Sequence, residues 1–324
     1  MHARVLFPFL FLFALAALLL SLLVGSVAVE PTVLLTLFDT SPHSLSHDLV
    51  VGLRLPRALS AFVTGALLSL AGALMQVLVR NPLADPYVLG VSGGAAVGAL
   101  GSMLAGLGGA WLTGSAFVGA LLAMALVFQL ARSGGSWTPT RLLLTGVVLA
   151  AGWGALISLI LTVSPAAPLR GMLFWLMGDL GYSSTPLPAA LVLVLGLTVC
   201  WPLARDLNIL QRGEIQAGAL GVATGRIQLW LYLLSSLFTA SAVVQAGSIG
   251  FVGLVIPHLI RLLGINDHRL LLPAAALAGG GLLVLADTLA RSLLAPQQLP
   301  VGIITALLGV PLFLYLLQRE TTRQ

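Results

Sequence analysis

The sequence predicts an all-α polytopic membrane protein, and three observations carry that prediction: the scarcity of charge, the length of the uncharged runs, and the placing of the arginines. Of 324 residues, 59% are hydrophobic and 8% are charged, against roughly a quarter charged in an ordinary globular domain. That composition excludes a soluble enzyme or a disordered tail. A net charge of +5 spread thinly over an apolar chain makes no basic patch, so nucleic acid is excluded as a partner. All 15 basic residues are Arg, and the single cysteine, Cys200, cannot form an intrachain disulfide.

Uncharged windows run over 5–29, 58–79, 86–131, 142–169, 180–204, 227–260, 270–286 and 292–318. A helix crosses roughly 30 Å of hydrocarbon in about 20 residues, so six of them fit one crossing each. Window 5–29 follows Arg4 as a secretory leader would, but it exceeds the usual apolar run of about 7–15 residues; it is read as the first span. Window 86–131 must fold back, and Gly106-Leu107-Gly108-Gly109 is the turn. Window 227–260 is either one long buried helix or two short crossings hinged near 245–250.

Arginine placement decides between them, because cytoplasmic loops carry the excess of Lys and Arg. Two crossings give ten spans, both termini cytoplasmic, with 11 arginines inside and 4 outside; one crossing gives 8 and 7. Ten spans follow. The longest non-spanning pieces are 30–57 and 205–226, so residues 1–324 form a single transmembrane domain. Most of the 36 glycines lie within spans, where small residues let helices approach closely.

Three stretches rise above the apolar background. Arg54-Leu55-Pro56-Arg57 puts two arginines on the outer side, against the topology bias. They either snorkel to lipid headgroups or have a carboxylate partner. Past the next span, Asn81-Pro82 and Asp85-Pro86 force a rigid reversal, since a residue before proline avoids the α region. The cytoplasmic stretch 205–226 contains a short helical pattern, Glu214 to Leu220, bracketed by Gly213 and Gly221; it is a docking element or a solvated loop. In 247–258, Pro257 frees a backbone carbonyl that a neighbouring helix must satisfy, and His258 reads as a packing or capping residue. Asp287 and Arg291 lie one helical turn apart and can pair.

Catalysis finds little support. There is no His-Glu-x-x-His and no cysteine cluster, so no metal site is expected. Gly90-Val91-Ser92-Gly93 matches an intramembrane serine protease motif, with His258 as base, but glycine is common here and chance matches are expected. A Walker A loop needs lysine, so any ATP is bound by another polypeptide. An ion-coupled secondary transporter is the competing reading; such carriers usually hold carboxylates near the midplane, whereas all 10 acids here fall in loops or at span ends.

At these same stretches the sequence resembles the permeases of type II ATP-binding-cassette importers, which move iron–siderophores, haem and vitamin B12. The resemblance is carried by Arg54 to Arg57, Gly65 to Gly72 with Gln76, Arg80 to Pro86, Gly213-Glu214 to Leu220-Gly221, Gly247 to Arg261, Asp267-His268-Arg269 and Leu299 to Gly302. It covers the chain after the first span and looks closest to the vitamin B12 permease. It implies a homodimer in the bacterial inner membrane, two copies of a separate ATPase that binds ATP and Mg, and a periplasmic substrate-binding protein. No cofactor is implied in this chain. Arg54, Arg57 and Arg291 match arginines that pair with glutamates of the binding protein. Gly213, Glu214, Ala217, Leu220 and Gly221 fall where the family couples to its ATPase. The cytoplasmic gate of the vitamin B12 branch maps to Pro139-Thr140, where proline departs from that branch's hydroxyl pair.

Overall fold

The computed structural model describes residues 3–25, 27, 29–32, 45–132, 138–182 and 185–321. Residues 26 and 28 of the first window and 33–44 of the following loop lie outside them. Helix α1 is Ala3–Leu23. The next helical stretch runs from Leu45 to Leu78, as α2 (Leu45–Leu49), a π-helical turn (Val50–Arg54) and α3 (Leu55–Leu78). The hairpin of α4 (Val91–Leu104) and α5 (Ala110–Ala131) follows, then α6 (Pro139–Val163) and α7 (Ala166–Leu176). Then come α8 (Leu187–Leu210), α9 (Glu214–Ala219), α10 (Thr224–Ala246), α11 (Val252–Leu262), α12 (His268–Ser292) and α13 (Val301–Thr321).

Every uncharged window holds an apolar helix, and the two long windows hold two each. Among the described residues, seven helices are long and apolar enough to cross a membrane, and three more (α4, α11 and the 301–316 part of α13) are apolar but shorter. In 86–131 the chain turns between Leu104 and Ala110, with Gly106 and Gly109 at φ +70° and +58°. In 227–260 it breaks between Ala246 and Val252. Two boundaries differ from the expectation. Arg54 and Arg57 sit within continuous helix rather than in a loop, and the 205–226 stretch is largely helical at both ends, leaving 211–223 between α8 and α10.

The core is built on α3, which packs against α12, α10 and α11 and is buried along almost its whole length. Leu67, Leu70, Leu74 and Met75 of α3 meet Leu231, Phe238 and Val243 of α10 and Leu271 and Leu283 of α12 in one apolar cluster. Where α3 crosses α11 the backbones nearly touch: a Cβ at Gly72 would lie 1.8 Å from the Gly253 carbonyl oxygen. Pro257 lies four residues after Gly253, so it frees that carbonyl, which faces the bare Cα of Gly72. One turn further along α3, Gln76 donates to the next carbonyl, Leu254, at 3.1 Å and accepts from Arg261. α3 therefore lies close against the carbonyl that Pro257 frees and binds its neighbour. By contrast α6 is almost wholly exposed, with Leu144, Val148, Leu159 and Val163 facing outward.

Candidate functional sites at the two ends of the bundle

At the end where α3 begins, three arginines line one cavity of about 420 Å³, together with Gly52, Leu180 and Gln298. The carboxylate partner of Arg57 and Arg291 lies within this chain. Asp287, fully buried on α12, accepts from Arg57 Nε at 3.1 Å and from Arg57 Nη2 at 2.9 Å. Arg291, one turn on, meets the same carboxylate at 3.0 Å and donates to Ser21 Oγ of α1 at 2.8 Å. This fork-on-carboxylate geometry needs a planar guanidinium and is unavailable to lysine. Asp287 stands five residues before the end of α12, at the end of the span as expected. Two arginines neutralise it, which is why the bundle tolerates it there.

Arg54 points elsewhere. Its guanidinium donates to the carbonyls of Leu22 and Leu23 at 2.8 and 2.9 Å and to that of Val27. It thus closes the carbonyl end of α1, where a cation also meets the helix dipole favourably. Arg54 and Arg291 are 7% and 6% exposed. Arg57 has the more open side chain, and its Nη1 faces Gln298 at 3.0 Å. On the cavity's other side Asp179 approaches Arg57 at 3.9 Å. Burial pushes the Asp179 carboxyl above the usual carboxylate range, opposed by the Gly181 amide and by Arg57.

At the opposite end, α9 hangs between α8 and α10. Gly213 enters it at φ +123° and Gly221 leaves it at φ +81°, backbone settings that a side chain disfavours. The Val222 amide returns to the Ala217 carbonyl at 3.0 Å, the helix-ending bond that a left-handed residue permits. Glu214, at the start of α9, accepts from Gln228 of α10 at 2.7 Å and from Arg80, just past α3, at 3.1 Å. The five residues predicted here divide. Ala217 is fully buried against the bundle, so in this conformation it anchors α9 and offers no surface to a partner. Leu220 is 66% exposed, and Ile215, left out of the predicted set, is 91% exposed.

Pro139 and Thr140 open α6. Pro139 is buried, Thr140 is exposed, and the Thr138 hydroxyl caps the helix by accepting from the Arg141 amide at 3.3 Å. Residues 133–137 before them lie outside the described residues. The reversal after α3 is rigid as expected: Asp85 accepts from the Tyr87 amide at 2.7 Å, and the Tyr87 hydroxyl both donates to and accepts from the Ile249 backbone, at 3.0 and 2.9 Å. This tie to the break between α10 and α11 carries no sequence signal beyond the tyrosine itself.

Comparison with known proteins agrees with this architecture. Over its full length the fold resembles an inward-facing conformation of a metal-chelate type ABC transporter, with TM-score 0.84, 32% identity, and coverage of 98% of this chain and 99% of that one. The hemin transport system permease protein HmuU of Yersinia pestis is 43% identical over 297 residues, 88% of this chain and 87% of that protein. The cobalamin import system permease protein BtuC of Halobacterium salinarum is 44% identical over 280 residues, 85% of this chain and 75% of that protein. Residues 12–319 match the FecCD transport family. The chain therefore belongs to the FecCD transport family: it is a multi-pass transport permease subunit of an ABC importer, and ATP hydrolysis belongs to a separate ATPase.

Proposed function

We propose that this permease crosses the bacterial inner membrane ten times with both termini in the cytoplasm, pairs with a second copy, and passes a metal chelate of the iron–siderophore, haem or vitamin B12 class. A periplasmic binding protein delivers the chelate at the arginine cavity, and two ATPase subunits, holding ATP and Mg, seat on α9. The observation that supports this most is that one helix serves both ends. Arg57 lies in the first turn of α3 and Arg80 just past its last, where it holds Glu214 of α9. The 24 residues of α3 span about 36 Å, so the two sites sit on opposite faces of the bilayer. The exposed apolar flank of α6 is where the second copy and the passage belong.

Within the cavity Arg57 is the arginine that meets an incoming carboxylate, since its exposed partner Gln298 is neutral and can be displaced. Arg54 and Arg291 contribute charge and hold the rim. In the full transporter, Arg57→Gln, whose amide can still donate to Asp287, should weaken docking of the loaded binding protein several-fold at low salt, with basal ATPase intact, because a charge lost at an interface costs association rate and register. Tight docking by that variant at low salt would show the cavity to be structural only.

At the other end, Ile215→Arg or Leu220→Arg should leave the permease folded but separate ATP hydrolysis from uptake. Ala217→Arg, by contrast, should lower stability, because it drives a charge into packed surface. Normal uptake by the Ile215 and Leu220 variants would make α9 a solvated loop.

A further inference from the structure

A second and larger cavity, about 720 Å³, opens between α5, α8 and α10 at the end of the bundle that carries Arg57. It is separate from the arginine cavity and from α9. We propose that it holds one acyl chain of an outer-leaflet phospholipid, with the headgroup at its rim. This rests on the orientation proposed above, with the Arg57 end outside, and not on where the binding protein docks.

The lining is graded along the membrane normal. At the rim stand Gly109, Thr185 and Gln245, and the Gln245 amide is already engaged, donating to Ser60 Oγ at 2.9 Å and to the Thr185 carbonyl at 3.2 Å. Deeper in, the walls are Phe117 and Val192, with Ser241 of α10 beside them, roughly 7–11 Å below the helix ends at 1.5 Å per residue. At that depth Ser241 supplies a single polar side chain, fewer than the two to four polar partners a buried water needs. An empty void would forfeit dispersion contacts along its whole lining. A polar mouth over an apolar floor fits an amphiphile lying along the membrane normal.

The cavity is also continuous with bilayer-facing surface. Leu195 of α8, three residues beyond the lining Val192, is 63% exposed, so an acyl chain that enters along α8 meets apolar surface. Gly114 faces that space: a Cβ there would meet nothing within 4 Å. Gly101 on α4 has the same open surroundings but does not line the cavity, and so supplies the control.

The test uses the permease purified with its ATPase. Native mass spectrometry should find phospholipid retained by the wild type after extensive detergent washing. Gly114→Leu and Val192→Phe, which fill the cavity from opposite walls, should lower that occupancy at least tenfold, and Gly101→Leu should leave it unchanged. Exhaustive delipidation should lower the thermal midpoint of the wild type, with recovery on adding back phospholipid, because a ligand that binds only the folded state stabilises it. Gly114→Leu should show neither the fall nor the recovery. Equal retention by the filled variants, or a wild-type cavity holding only detergent or a transported chelate, would overturn the proposal.

Discussion

Replacing Asp287 by Ala should lower the stability of the permease by about 3–5 kcal/mol, the range found when one partner of a buried ion pair is removed. The carboxylate is fully buried and holds two guanidinium groups, Arg57 at 2.9 Å and Arg291 at 3.0 Å. Removing it strands both positive charges where water cannot reach them fully. Arg291 would still reach Ser21 Oγ, a neutral acceptor that compensates only in part. Asp287→Asn should cost less than Ala, since the amide oxygen still accepts one guanidinium bond. Arg80→Ala, which breaks an ion pair with side chains 44% and 39% exposed, should cost less than about 1 kcal/mol. Unfolding of each variant in detergent, followed by thermal or denaturant titration, checks the order. Asp287→Ala within 1 kcal/mol of wild type would mean that the triad is not a structural unit.

Gly72→Leu should prevent α3 and α11 from packing as they do. The first side-chain carbon alone would stand 1.8 Å from the Gly253 carbonyl oxygen. That neighbour is backbone, so no rotamer change relieves the clash and the helices must part. Parting them also withdraws Gln76 from Leu254 and Arg261 and leaves the Gly253 carbonyl without its close neighbour in an apolar interior. The loss should exceed the ~1–3 kcal/mol typical of an overfilled core. It should be visible as failure to co-purify with the ATPase, or as a fall in thermal midpoint larger than that of Leu220→Arg. Wild-type assembly and uptake by Gly72→Leu would refute the contact.

The long apolar helices are legible because lipid asks about 20 apolar residues of a span and a chain this poor in charge advertises such runs; the shorter α4 and α11 are legible only through the long windows that contain them. The breaks in the two long windows were legible because they fall at glycines. Partners distant in sequence were not. Arg57 and Asp287 are 230 residues apart, and nothing local says that α3 and α12 adjoin; only the oddity of outward arginines hinted at a carboxylate, which then proved to lie within the same chain. The pairing of Asp287 with Arg291 was legible because it spans one helical turn. On α9, Ala217 faces inward and Leu220, the C-cap, faces outward; the sequence spacing of the two does not say which side the bundle covers. The large cavity between α5, α8 and α10 left no trace in the sequence, because an absence of side chain at Gly114 reads like any other glycine in a span.

The central claim is that this chain carries substrate only as part of an ATP-driven importer. Its most direct test is uptake of labelled cobalamin, haem and ferric siderophores into proteoliposomes, with and without the ATPase, the binding protein and ATP–Mg. The permease alone should hydrolyse no ATP and accumulate nothing; the full set should accumulate one of these chelates, and omission of ATP or of the binding protein should abolish that uptake. Accumulation by the lone chain without ATP, lost on adding an uncoupler, would contradict the account and make the protein an ion-coupled carrier.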